Sequence, residues 1–412
     1  MPKAWTRWHW LAALTGLAIG LVATGILLRT LFGSGTGSSY GALHLADYEV
    51  YRGAVRSWLA GNGLYDTVYP TGETGPMLPF TYPPFAALVM APIGVIPATA
   101  AAWIWVLLSL ALCPVLAVLL LRQAPGAGRT LRPTSLVAGG LVALGLLLSE
   151  PVTHNLFVGQ LSVFVVFLAF VDAGGYLPAR WRGFGVGIAG AIKLIPLVFV
   201  GYYLVTRQWR AAVQAAAGFL AATLLGFLVL PAESVRYWTV LVFDTSRVGD
   251  IWLSRNKSLL GLLTRWGLGD ARWLWLLLAA AVAAAALWRA RQHHLRGEEV
   301  AAALVVGSLS IVLTPISWPH HQIWVPLVAL YLILLRRWWP AFAGALLLAG
   351  YSFATPLIVW QETGSLWLRL LWEVPTLVAV AISILGLPRR SPDQADPSAA
   401  ADLTAPPVAA TS

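Results

Sequence analysis

The chain has 412 residues, 58 % hydrophobic and only 11 % charged, with a formal net charge of +10. Soluble domains carry about a quarter charged residues. Here apolar runs of ~20 residues, each able to cross ~30 Å of hydrocarbon, recur along nearly the whole length, which excludes a soluble enzyme. The ~10-residue alternating segments of a membrane β-barrel are absent too, so the composition specifies an all-α polytopic membrane protein. Its positive charge reads as basic cytoplasmic loops and not as a nucleic-acid surface. The single cysteine, Cys113, lies in an apolar run, where it reads as a small core residue and rules out an internal disulfide. The 21 tryptophans exceed what interfacial belts need.

The chain begins with the short basic stretch MPKAWTRWHW, followed by the apolar run Leu11–Phe32. That run is too long for a signal-peptide core, and its basic flank predicts an uncleaved first helix with a cytoplasmic N-terminus. Residues 34–80 form a polar segment holding DYEVYRGAVRSWLAGNGLYD at 47–66. There Tyr48, Tyr51, Val55, Trp58 and Leu59 recur at helical spacing, predicting an amphipathic helix on the membrane surface. Asp47, at its start, is placed either to cap free N–H groups or to do chemistry.

Further apolar runs cover 82–97, 99–121, 134–149, 157–172, 184–205, 211–231, 271–288, 300–317, 322–335, 341–360 and 366–387, giving about twelve with the first. Arginines punctuate the connections: Arg122, Arg129 and Arg132; Arg180 and Arg182; Arg207 and Arg210; Arg289, Arg291 and Arg296; Arg336 and Arg337; Arg389 and Arg390. Strict alternation of twelve spans would put two of these clusters outside, against the positive-inside rule. The conflict disappears if 82–97 does not cross fully and 184–205 is broken. Both contain prolines (Pro83, Pro84, Pro92 and Pro97; Pro196), and broken segments are tolerated where they line a cavity. Residues 34–80, 150–160, 232–270, 318–321 and 361–365 then share the outer face. Residues 1–387 read as one transmembrane domain, and 388–412, rich in Pro, Ala and Ser, as a disordered cytoplasmic tail.

The outer segments hold the unexpected polar groups. Residues 150–160 carry Glu150, His154, Asn155 and Gln160; SRNKS carries Arg255, Asn256 and Lys257; TPISWPHH carries Trp318, His320 and His321. Lys193 stands in an apolar run, where an ammonium needs a polar cavity, an anion, or a buried carboxylate such as Glu150 or Asp172. Adjacent histidines diverge by ~100° on a helix, so His320 and His321 do not form an i,i+4 metal pair. His293 and His294, in an Arg-rich loop, read as solvated, and Arg369 with Glu373, four apart, as a structural ion pair. No P-loop, dinucleotide fingerprint or HExxH array is present.

Five stretches, DYEVYRGAVRSWLAGNGLYD, FTYPPFAALVMAPIGVIP, GQLSVFVVFLAFVDAGG, GIAGAIKLIPLVFVGYYLVTRQWR and PISWPHH, occur in an order that resembles glycosyltransferase family 87 over residues 40–325. The resemblance implies a GT-C-like bundle of about ten to twelve transmembrane helices with amphipathic helices in the first external loop. It also implies a polyprenyl-phosphate-mannose donor, a glycolipid or lipoglycan acceptor and inverting α-(1→2) mannosyl transfer at the outer face, with no cofactor and no metal. Asp47 matches the acidic residue that such enzymes use as base; Lys193, His321, Arg255 and Lys257 are candidates for the donor phosphate. Tyr48, Arg52, Tyr82, His154, Asn155, Gln160, Asn256, Trp318 and His320 are the candidate substrate contacts. Two alternatives stay open: a transporter or flippase of lipid-linked sugars, and a GT-C enzyme for another sugar such as arabinofuranose. The absence of a visible inverted repeat and the gathering of polar groups on one face favour the enzyme.

Overall fold

A computed structural model describes residues 45–71, 76–123, 133–354 and 366–389. The expected first helix at 11–32, the arginines 129, 132 and 390, the 361–365 connection and nearly all of the tail lie outside these residues. The amphipathic helix is present as α1 (Ala46–Leu59), which buries Tyr48, Tyr51 and Val55 and leaves Leu59 exposed. The residue before it, Leu45, is fully buried in the left-handed conformation at φ 31° and donates its N–H to the Phe157 carbonyl at 3.0 Å. A non-glycine residue there costs energy and persists only when its surroundings hold it. Here burial and that hydrogen bond do so, two residues before Asp47.

After α1 a short antiparallel ribbon pairs β1 (Val68–Pro70) with β2 (Met77–Pro79), Tyr69 opposite Leu78. The all-helical expectation missed it, because segments of three residues leave no readable periodicity. Helix α2 (Pro84–Val95) has 12 residues and so is about 18 Å long, too short to cross, as the charge argument requires. Helix α3 (Ala98–Leu121) is long and apolar enough to span a membrane. Helix α4 (Pro133–Leu148) turns through 66° into α5 (Glu150–Val158). Pro151 lacks the N–H that would continue the ladder, and Ser149 is extended. Residues 150–158, expected as a connection, are therefore helical.

Helix α6 (Ser162–Ala173) packs against α7 (Phe184–Ile192). A Cβ on Gly187 would lie 2.4 Å from the Ala215 carbonyl oxygen of α9 (Trp209–Val229), so only glycine permits that approach. The expected break in 184–205 is present. Helix α7 stops at Ile192, Lys193 is extended at φ −150° and ψ 122°, and a single 3-10 turn at Ile195–Leu197 leads into α8 (Val198–Val205). Pro196 cannot donate to the Ile192 carbonyl, which accounts for the break at that point.

The remaining helices are α10 (Pro231–Thr239), α11 (Leu259–Arg265), α12 (Arg272–His294), α13 (Glu299–Leu313), α14 (Trp324–Leu334), α15 (Trp338–Ala349) and α16 (Leu366–Leu385). Every residue of α13 from Val300 to Val312 is buried, as for a helix enclosed on all sides. It packs against α12, α14 and α16 and forms the middle of the larger core. Among the described residues, α3, α9 and α12 are long and apolar enough to cross a membrane, with the bent α4–α5 pair as a fourth.

Two readings of the basic loops change. His293 and His294 are not solvated: their Nδ1 atoms lie 2.7 Å from Glu298 and 2.8 Å from Glu299, across the tight α12–α13 turn. Glu373 does not pair with Arg369, which is exposed; it takes two hydrogen bonds from Arg265 at 2.7 and 2.6 Å. Both partners are distant in sequence or across a turn, where local spacing carries no signal. Cys113 is buried in the core, as expected.

Candidate active site

Asp47 does not cap α1, whose first turn receives no side-chain cap. Its Oδ2 instead accepts a 2.8 Å hydrogen bond from Nε2 of Gln160, in the turn between α5 and α6. That turn is set by Gly159 at φ +69°, where a Cβ would come within 2.6 Å of the Tyr48 side chain. The Gly159 carbonyl accepts from the Trp105 indole at 2.9 Å. Gln160 Oε1 accepts from the Tyr82 hydroxyl at 2.8 Å, and Tyr82 and Tyr51 hydroxyls lie 3.1 Å apart. Tyr51 is one helical turn from Asp47, so both present to one side of α1. Burial pushes the Asp47 carboxyl up to about 6, against the lowering effects of the Gln160 hydrogen bond and the charge of Lys193. A carboxylate so tuned is a stronger base than an exposed one and is still ionised at neutral pH.

Lys193 faces this acid across Tyr82. Its Nζ sits 5.3 Å from the centre of the Tyr82 ring and donates to Ser162 Oγ at 3.2 Å. Neither carboxylate named as a structural partner takes it. Asp172 accepts from the Gly183 and Val186 N–H groups and the Tyr203 hydroxyl, at the other end of α7, and Glu150 lies in the field of Lys257. Lys193, Ser162, Ser310 and His321 line a cleft whose other walls are apolar, among them Val165, Ile195, Phe199 and Trp324. His321 Nδ1 accepts from the Trp318 N–H at 3.2 Å, and its Nε2 is buried without a hydrogen-bond partner among the described residues. The His320 ring packs edge-on against His321 at 4.6 Å and stacks on His154 at 5.4 Å, with the two Nδ1 atoms 3.3 Å apart. The cleft offers an amine, polar hydrogens and a greasy wall, and the Asp47 carboxylate lies behind Tyr82 within its electrostatic reach.

The other candidates lie elsewhere. Asn256 is fully buried; its amide donates to the Ile251 and Pro315 carbonyls and accepts from the Ser258 and Ser317 N–H groups. Lys257 donates to the Trp372 carbonyl at 2.8 Å. These two residues knot the 251–258 loop to the chain before His320. Arg255 is half-buried in the same loop. Arg52 turns toward the α2–α3 link and donates to Ile96 at 3.1 Å. Asn155 accepts from the Val163 N–H at the start of α6, Tyr48 packs on Trp105 at 5.7 Å, and Trp318 covers Gly249. Sequence reasoning missed Tyr51 and Ser162 as parts of the site. Their signals were available: Tyr51 lies four residues after Asp47 on a helix, and Ser162 two after Gln160. Among the described residues, no three His, Cys, Asp or Glu side chains gather as a metal site.

A helical membrane bundle that sets an amine and an imidazole with a free Nε2 among the described residues in a mostly apolar cleft, with a buried acid close by, has the parts of a membrane-embedded transferase for a lipid-linked substrate. The chain belongs to glycosyltransferase family 87, whose model matches residues 80–315. It is similar to a Mycolicibacterium smegmatis polyprenol-phosphate-mannose-dependent alpha-(1-2)-phosphatidylinositol mannoside mannosyltransferase, 33 % identical over 371 residues, covering 82 % of this chain and 83 % of the relative. The protein of the same description from Mycobacterium tuberculosis is 32 % identical over 416 residues, 93 % of each chain. A pentamannoside mannosyltransferase of the same donor class from M. smegmatis is 35 % identical over 366 residues, 83 % of this chain and 84 % of the relative.

Proposed function

We propose that this protein transfers mannose from a polyprenyl-phosphate donor to a phosphatidylinositol-mannoside-type glycolipid, forming an α-(1→2) link with inversion at the anomeric carbon. The observation that carries the reading is the Asp47–Gln160 pair facing Lys193 across Tyr82. The acceptor hydroxyl attacks the anomeric carbon, its proton passes to the Asp47 carboxylate, and the bond from that carbon to the phosphate oxygen breaks. The electron pair leaves with the polyprenyl phosphate, whose growing negative charge Lys193 and the His321 N–H stabilise. Gln160 orients the carboxylate, and Val165, Ile195, Phe199 and Trp324 offer an apolar bed for the first isoprene units.

The chain then works as a GT-C-type bundle of ten to twelve crossings, with residues 1–387 as the catalytic domain and the tail and both termini cytoplasmic. Sidedness is supported by α6 and α7, which hold Ser162 and Lys193 at one end and Asp172, next to the Arg180–Arg182 loop, at the other. The reaction as written uses no metal and no cofactor. Purified protein is given radiolabelled polyprenyl-phosphate-mannose or GDP-mannose, a glycolipid acceptor, and EDTA or none. Labelled product is expected from the lipid donor alone and unchanged by EDTA; direct use of GDP-mannose overturns the reading.

A further inference from the structure

A second, shallow pocket is lined by Tyr65, Phe80, Thr81, Tyr237, Asp244 and Arg247 among others. Its walls are built by long-range contacts. On α10, Glu233 accepts from the Leu64 N–H at 2.8 Å and Arg236 pairs with Asp66. This grip stacks Tyr237 on Tyr65 with ring centres 5.8 Å apart and planes 26° from parallel, while Phe80 closes on Tyr65 at 5.9 Å. The rim is polar. Arg247 reaches the Tyr65 and Phe80 carbonyls only at 3.5 and 3.4 Å, both through Nη2. Asp244 Oδ1 takes the N–H and hydroxyl of Ser246, and its other oxygen makes no hydrogen bond among the described residues.

An aromatic floor under a rim of one carboxylate, one guanidinium and one hydroxyl matches a ligand with an apolar face and a hydroxyl-rich edge. The carboxylate opposes an anionic ligand, and two charged groups oppose a lipid tail. The pocket also adjoins the reaction site: the Tyr65 hydroxyl donates to the Tyr82 carbonyl at 2.7 Å, and the Tyr82 hydroxyl donates to Gln160, the partner of Asp47. We infer that this pocket is a saccharide subsite that holds one pyranose ring of the acceptor, beyond the ring whose hydroxyl reacts. The inference rests on the glycosyl-transfer reading above.

Two measurements test it. In the full-length protein, Asp244→Ala raises the KM for an acceptor lipid carrying two or more mannose rings by about tenfold, the scale of one hydrogen bond to a charged group, and leaves the donor KM unchanged. Independently of turnover, methyl α-mannoside gives saturation-transfer NMR signals with the wild type and with Asp47→Asn, and these are lost in Asp244→Ala. An unchanged acceptor KM together with unchanged sugar signals in Asp244→Ala overturns the subsite. Sugar signals lost in Asp244→Ala, in a protein that transfers no mannose from the lipid donor, would keep the subsite and remove the proposed reaction instead.

Discussion

Around Asn256, Arg265 and Glu373, buried donors meet acceptors: the Asn256 amide makes four hydrogen bonds to backbone, and Arg265 grips Glu373 with two and the Leu253 and Asn256 carbonyls with two more. Around Asp47, Lys193 and His321 the polar groups are as enclosed but less matched. Nε2 of His320 and of His321 are buried without partners among the described residues, and Lys193 donates to one serine rather than to a carboxylate. A buried network that is fully satisfied rigidifies a fold. Unmatched groups cost stability and are retained where a ligand supplies the missing partner. The first cluster is a knot and the second the candidate site, although the sequence offered residues of both as candidates.

Replacing the base separates them most sharply. Asp47→Asn is expected to lower turnover by ~10²–10⁴-fold, the usual contribution of a general base, with expression intact. Its thermal midpoint in detergent at pH 7 should stay level or rise. The folded state holds the Asp47 proton more tightly, at about 6 against 3.8, so ionisation costs stability above pH 6 and the cost vanishes as the pH falls below 3.8. The gain from Asn should shrink over that window. Near-normal turnover would leave Asp47 without a chemical role.

In the knot the pattern should reverse. Glu373→Ala leaves Arg265 buried without its counter-charge and is expected to destabilise by ~3–5 kcal/mol, seen as a large fall in thermal midpoint. The fraction that stays folded should keep its donor and acceptor KM values; a selective rise in donor KM would move Glu373 into the site.

A smaller effect is expected on the cationic side. Lys193→Ala and His321→Ala should each weaken apparent donor affinity by about ten- to a hundredfold, equivalent to ~1.5–3 kcal/mol for a hydrogen bond to a charged group. Acceptor KM and thermal midpoint should change little. Folded variants with unaltered donor kinetics would remove both residues from the donor site. The mildest test is the pH profile: wild-type kcat/KM should fall as pH drops through about 6, where Asp47 takes up its proton. A fall only near pH 4 would mean that the carboxyl is open to water.

Much of this contrast was out of reach of the sequence. SRNKS and PISWPHH were legible as polar islands in an apolar chain, yet nothing in either string separates Asn256, spent on backbone, from His321, which faces a cleft. The partner of Glu373 lies 108 positions away and that of Asp47 lies 113 away. Local spacing therefore proposed Arg369 for the first and helix capping for the second. The saccharide pocket left no local trace, since it needs Tyr65 and Tyr237 stacked by the grip of α10.

By itself the sequence determined that the chain is a helical membrane protein and that α1 is amphipathic, and it offered Pro196 as the cause of a break in 184–205. Each of these follows from local causes: apolar run length against membrane thickness, 3.6-residue periodicity, and a proline that cannot donate an N–H. Which charged groups are satisfied and which await a ligand was decided only in the tertiary structure. Whether a buried polar atom has a partner depends on chain segments far apart in sequence, such as Leu45 clasped to Phe157 and Gly159 pressed on Tyr48, which together turn Gln160 toward Asp47.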